Sequence, residues 1–177
     1  MSTTQANDAR VILNSQEIDQ KIRRIAYEVY ERNFDVQELI VAGIEDRGFA
    51  LAQRIAEHLD AISHFKYQEE SLKLVKVTLE KFTEKQCDVG LNCSLIELDQ
   101  KNILLVDDVL NTGRTLAYSM RPFLERNIHR LEIAVLVNRS HSKFPVVASY
   151  TGYELATTLE EHIEVVLDGD ADAVFLR

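Results

Sequence analysis

Thirteen consecutive residues hold the densest chemistry in this chain: Ile103-Leu104-Leu105-Val106-Asp107-Asp108-Val109-Leu110-Asn111-Thr112-Gly113-Arg114-Thr115. Four aliphatics read as a buried parallel strand, and two carboxylates stand where that strand should surface. A small, donor-rich turn follows, from Asn111 to Thr115, and then an amphipathic helical pattern. Backbone N–H groups of such a turn, with the hydroxyls of Thr112 and Thr115, suit a phosphate. Carboxylates a few ångströms away accept hydrogen bonds from sugar hydroxyls. An ordinary strand-to-helix turn with a polar cap explains each residue singly. It explains the whole order poorly, and the pattern reads as a grip on a phosphorylated sugar.

These residues resemble the 13-residue signature of the type I phosphoribosyltransferases, which bind 5-phosphoribosyl 1-pyrophosphate (PRPP). Ile40-Val41-Ala42-Gly43-Ile44-Glu45-Asp46-Arg47-Gly48 resembles the pyrophosphate loop of that family. Ala134-Val135-Leu136-Val137-Asn138-Arg139-Ser140-His141, followed by Phe144-Pro145, is similar to the base-side strand and loop of its PyrR-type branch. That branch combines uracil phosphoribosyltransferase activity with attenuation of pyrimidine-operon RNA. Arg10-Val11-Ile12-Leu13 and the run from Arg24 to Asn33 resemble it too. The similarity spreads from about residue 10 to the end of the sequence and is weakest between Leu79 and Leu98.

The resemblance implies transfer of phosphoribose from PRPP to a nucleobase, uracil before a purine, with UMP and pyrophosphate as products. It implies the type I fold: a central, mostly parallel sheet flanked by helices, with a flexible loop or hairpin and a small hood. Asp107 and Asp108 become partners of the ribose hydroxyls, the second acid also assisting proton transfer. Asn111, Thr112, Gly113, Arg114 and Thr115 would bind the 5′-phosphate, and Glu45, Asp46 and Arg47 the pyrophosphate. Val109, Asn138, Arg139 and His141 fall on the base side, where Phe144 either stacks on a base or packs in the core. Mg²⁺ is the implied cofactor. It would have no direct protein ligand, being held by PRPP and waters, with Asp107 and Asp108 reached through water. A homodimer or higher homo-oligomer is implied as well.

The chain departs from the branch at several of these positions. Glu45-Asp46 replaces Lys-Thr or a similar non-acidic pair, and two carboxylates beside a pyrophosphate repel it unless compensated. Glu80-Lys81-Phe82-Thr83 stands where relatives carry Tyr-Arg-Asp-Asp at the start of the loop that closes over PRPP. Lys81 then serves as the catalytic cation, as a point charge rather than a bidentate clamp. Recognition of PRPP is accordingly expected to be more robust than turnover. Asn138 replaces an Asp, and Tyr27 replaces a His of the RNA-binding relatives.

The elements that must position these groups follow from periodicity. Asn14-Ser15-Gln16-Glu17 forms a capping-box pattern, after which Ile18, Ile22, Ile25 and Val29 recur at helical spacing through about Asn33. Leu39–Ala42 predicts a short buried strand, and Gly48 onward a helix with Phe49, Ala52, Ala56 and Leu59 on one face. Leu72–Leu79 predicts a strand, and 80–98 a mobile loop or hairpin arm. Ile103–Val106 is the signature strand. Its helix is predicted over Arg114–Asn127, kinked at Pro122. Ile133–Val137, Val146–Tyr150, Glu164–Leu167 and Ala173–Leu176 complete the strands. Alternating strands and helices predict an α/β sheet whose ligands gather at the carboxyl ends of the strands.

At 177 residues, one domain is expected, with residues 1–9 loosely attached. No apolar run is long enough to cross a membrane. The polar start argues against a secretory signal, and Cys87 and Cys93 read as free thiols of a cytoplasmic protein. Net charge is −9 and the pI near 5.0. That disfavours RNA as the main partner, since a grip on phosphates needs clustered Lys and Arg. Lys21, Arg23, Arg24, Arg139 and Lys143 are the residues from which a basic RNA face would be built.

Overall fold

The computed structural model describes residues 9–80, 88–139, 143–156 and 161–177. Lys81, Cys87 and His141, three residues singled out above, lie outside them. A six-stranded sheet is ordered β4-β3-β2-β5-β6-β7. Its strands are β2 (Leu39–Ile44), β3 (Leu72–Leu79), β4 (Val89–Leu91), β5 (Asn102–Leu110), β6 (Arg130–Asn138) and β7 (Tyr150–Glu154). All neighbours are parallel except β3 and β4, which pair antiparallel. The short β4 corresponds to the hairpin-arm alternative for 80–98.

Helix α1 (Ser15–Arg32) opens on the expected capping box. Asn14 Oδ1 accepts from the Glu17 N–H at 3.0 Å, and the Glu17 carboxylate accepts from the Asn14 N–H at 2.9 Å. Its apolar stripe of Ile18, Ile22, Ile25 and Val29 is fully buried. Helix α2 (Glu45–Ile62) covers the same face of the sheet through Leu51, Ala52, Ile55, Ala56 and Leu59. The opposite face packs Ile103, Leu105, Ile133 and Val135 against Leu116 and Phe123 of two short helices, α3 (Arg114–Ser119) and α4 (Arg121–Leu124). With both faces covered, β2 is buried at every residue, as a central parallel strand must be.

Three expectations need correction. The predicted helix Arg114–Asn127 is not kinked but divided, because Pro122 starts a new helix within its first turn, where a missing N–H costs least. The run Val146–Tyr150 is not a strand. Val146 is buried beneath α3 and β5, and pairing begins only at Tyr150. The signature strand does not stop at Val106 but carries both acids within it, paired to β6 as far as Leu110.

A small antiparallel sheet, β1-β9-β8, forms the hood. It joins β1 (Arg10–Asn14) and β8 (Ile163–Val166) on either side of β9 (Ala173–Leu176). Arg54 of α2 fixes it by a two-pronged ion pair to the buried Asp172, with Nη2 to Oδ1 at 3.0 Å. The outer edge of β7 is closed by Arg24 of α1. Its guanidinium donates to the carbonyls of Thr151 and Gly152 at 2.7 and 2.9 Å.

Candidate active site

Strands β2 and β5 are neighbours whose onward connections, β2 to β3 and β5 to β6, run toward opposite edges of the sheet. The crevice outside their carboxyl ends is where open α/β sheets bind ligands. Two segments meet there: the first turn of α2 and the end of β5. Gly48 makes the approach feasible, because a Cβ at that position would lie 2.8 Å from the Val106 carbonyl and 3.2 Å from Asp107 Cα. A cleft of about 390 Å³ opens between them, lined by Glu45, Asp46, Arg47, Asp107, Asp108 and Thr115 among others. A smaller hollow of about 110 Å³ adjoins it and is formed by the loop from Asn111 to Thr115. Asp107, Val109 and Thr115 line both, so acid pair and loop share one continuous site.

The acids are held by their own backbone. Asp107 Oδ1 accepts from the Asp108 N–H at 3.0 Å, and Asp108 Oδ1 from the Val109 N–H at 2.9 Å. Asp107 is 7% exposed. Burial foremost, then the charge of Asp108, pushes its carboxyl well above the usual carboxylate range. Burial also raises Asp108, against the pull of the Asp107 hydrogen bond and of Arg47, whose Nη1 is 4.0 Å from Asp108 Oδ2. Two acids that prefer a proton or a cation sit at the floor of the cleft.

The loop is shaped from outside as well as by its own sequence. Gly113 adopts φ +80°, a left-handed conformation that side chains rarely take. The Thr112 carbonyl accepts from the N–H groups of Lys143 and Phe144 at 2.8 and 3.1 Å, and Thr112 Oγ1 accepts from Arg114 N–H at 3.3 Å. Arg139 is buried beside it. Its Nη1 donates to Asn111 Oδ1 at 3.3 Å and its Nη2 to the Glu161 carbonyl at 2.6 Å, and Arg139 N–H donates to the Leu110 carbonyl. Loop and hood are thereby tied by one guanidinium. The Arg114 side chain lies over the Tyr118 ring, 5.7 Å from its centre.

The acidic turn at the head of α2 is compensated. Glu45 takes φ +51°, strained for a residue with a side chain, and its carboxylate accepts from the Leu79 N–H at 2.6 Å. The carboxylate of Asp46 lies 2.6 Å from Lys76 Nζ, and this hydrogen bond and charge hold Asp46 below the usual range. Sequence reading did not single out Lys76. It lies far along the chain in another strand, and only the charge imbalance of Glu45-Asp46 hinted that a cation must come from elsewhere.

On the base side, Asn138 Nδ2 donates to Glu154 Oε1 at 3.2 Å. Phe144 is partly buried against the core beneath the loop, so packing prevails over an open stacking surface. A larger cavity, about 600 Å³, lies at the other end of the sheet. Its lysines Lys73 and Lys101 are paired with Glu97 and Glu38, and none of the expected site residues reaches it.

A family profile described as the phosphoribosyl transferase domain matches residues 9–168. The chain belongs to the phosphoribosyltransferase family. The Bifunctional protein PyrR of Macrococcus caseolyticus is 32% identical to this phosphoribosyltransferase over 173 residues, spanning 96% of this chain and 99% of that protein. The protein of the same name from Bacillus cereus is 33% identical over 162 residues, 89% of each chain. Among solved structures, a hypoxanthine phosphoribosyltransferase from Staphylococcus aureus has a TM-score of 0.70 at 19% identity, covering 89% of this chain and 85% of that one. One from Trypanosoma cruzi, in a ternary substrates complex, has a TM-score of 0.75 at 17% identity and covers 96% and 95%. Likeness at that identity speaks for the α/β fold, and the PyrR-type resemblance rests on the two curated relatives. Among the described residues, no helix of the phosphoribosyltransferase is long and apolar enough to cross a membrane.

Proposed function

We propose that the protein transfers phosphoribose from PRPP to a nucleobase, uracil foremost, releasing pyrophosphate and forming UMP. The observation that carries this reading is the continuous site in which the acid pair separates a phosphate-sized loop from the turn of α2 that carries Arg47. Its order matches the order of groups along PRPP: 5′-phosphate at Asn111–Thr115, ribose at Asp107 and Asp108, pyrophosphate at Arg47. Uracil is favoured because the PyrR-type resemblance extends over nearly the whole chain.

Transfer breaks the bond from the anomeric carbon to pyrophosphate and forms a bond to a base nitrogen, through a cation-like centre. The protein's task is placement and charge. The loop anchors one end of the sugar, and Asp107 accepts from its hydroxyls. Asp108, at the cleft surface, takes the proton that the base nitrogen loses. Its raised affinity for protons suits that role. Arg47 meets the departing pyrophosphate.

Mg²⁺ fits this donor set in a limited way. The two aspartates offer hard oxygen donors, with Arg47 at 4.0 Å from Asp108. Among the described residues, no group of three or more acidic, His or Cys side chains could hold a metal. Asp107 and Asp108 would therefore hold Mg²⁺ through water, the substrate supplying the remaining oxygens, and the ion would neutralise phosphate charge.

The test is pyrophosphate release from PRPP with Mg²⁺ and each of uracil, hypoxanthine, guanine, adenine and orotate. Release with uracil alone supports the proposal, and release with a purine moves the base assignment. No release with any base, together with salt-sensitive binding of a structured leader RNA, supports a nucleotide-sensing regulator instead. The name of the relatives, Bifunctional protein PyrR, favours keeping that second reading. Two of the five basic residues do not favour it: Arg139 is buried, and Arg24 is engaged with β7.

A further inference from the structure

We infer that Lys76 is a positioning residue of the pyrophosphate subsite, whose charge cancels Asp46 and so lets an acidic turn admit a polyanion. The inference rests on the PRPP reading above and adds to it a residue outside the signature segments. The cleft brings four carboxylates, Glu45, Asp46, Asp107 and Asp108, together with one guanidinium, Arg47. Without a further cation its field would repel the ligand that its shape suits. Glu45 is engaged by the Leu79 N–H, and the exposed Asp46, the other acid of that turn, is met by Lys76.

Lys76 is held where it can meet Asp46. Its N–H donates to Asn92 Oδ1 at 2.7 Å and its carbonyl accepts from Asn92 N–H at 3.2 Å, fixing the backbone on the β4 side. On the other side its register partner is Gly43, whose missing side chain lets the α2 backbone at Gly48 and Phe49 pack directly over the strand and brings Asp46 within reach. The ammonium lies 5.8 Å from the centre of the Phe49 ring and 2.6 Å from Asp46 Oδ1. An aromatic face and a carboxylate together bias a flexible side chain toward one place. As a stabilising surface ion pair this contact would count for little. Its consequence lies in the potential at the mouth of the cleft.

The test is a charge cycle read by PRPP binding with Mg²⁺ at low and high salt. Lys76→Met should weaken binding about fivefold at about 0.05 M salt, as expected for one uncompensated carboxylate several ångströms from a phosphate. At about 0.5 M salt the difference should shrink below about twofold. Adding Asp46→Asn to Lys76→Met should restore wild-type affinity, and Asp46→Asn alone should bind at least as tightly as wild type. An unchanged Lys76→Met affinity, a loss that persists at high salt, or a double variant as weak as the single one overturns the inference. If wild type fails to bind PRPP, the proposed function fails, and the same cycle is read with Mg²⁺-pyrophosphate. Absence of binding there overturns this inference too.

Discussion

Replacing Gly48 with alanine adds one methyl group at the junction of α2 and β5, and two effects oppose each other. Alanine is the better helix residue, which alone would stabilise the fold by about 1 kcal/mol. The added Cβ, however, would lie 2.8 Å from the Val106 carbonyl, 3.2 Å from Asp107 Cα and 3.4 Å from Asp107 Oδ1. Two of these three atoms are backbone. Strand β5 cannot retreat, since Val106 pairs with Gly43 on one side and Ala134 on the other. The head of α2 must move instead, at an overpacking cost of about 1–3 kcal/mol. The clash wins, and the net expectation is a loss of about 1 kcal/mol in urea unfolding. The larger effect should be functional. Lifting the first turn carries Arg47 away from Asp108, and a displacement of about 1 Å at reacting groups lowers rates about 100-fold. Turnover, read as pyrophosphate release, should therefore fall at least tenfold while most of the fold survives. A Gly48→Ala protein that is more stable than wild type and turns over normally would refute the close-approach argument.

Two further outcomes follow from the site. Thr112→Ala combined with Thr115→Ala should weaken PRPP binding by about 1–3 kcal/mol in calorimetry, two hydroxyl donors to a charged group being lost. Equal affinity would remove the 5′-phosphate from that loop. Asp107→Asn should stabilise the free protein at neutral pH by about 1–3 kcal/mol while reducing PRPP affinity, because the cost of burying an ionisable carboxyl, as a charge or with a proton taken up, is removed. The sign with pH is fixed by the raised carboxyl: the native state holds its proton where the unfolded chain has lost it. Wild type should therefore gain stability as pH falls from neutral toward the ordinary carboxylate range, and the gap to Asp107→Asn should close. Parallel pH profiles of the two proteins in urea titrations would contradict the assignment.

The signature segment was legible because each of its residues carries a local reason to be there: aliphatics for burial, acids and hydroxyls for a polar rim, Gly113 for its left-handed turn. The α1 cap and its stripe were legible for the same reason, since capping and periodicity are decided within a few residues. Other features depend on partners distant in sequence. Asp107 and Asp108 looked like the exit of the strand, yet pairing with β6 continues past them. The segment Tyr150–Glu154 lacks a run of aliphatics and becomes a strand because β6 offers it an edge and Arg24 closes the other side. Pro122 announced a disturbance, but not that Met120 would end one helix and begin the next. The neutralisation of Asp46 by Lys76 is invisible locally, as neither residue has a neighbour in sequence that requires it.

The hood joins Arg10–Asn14 to Ala173–Leu176, segments about 160 residues apart, so its central ladder cannot form until both have been synthesised. The six-stranded sheet can condense earlier, from segments nearer in sequence. Arg139 must then wait for Glu161, and the loop at Asn111–Thr115 gains its tie to the hood only with that last docking step. Folding thus builds the scaffold first and ties the loop to the hood last.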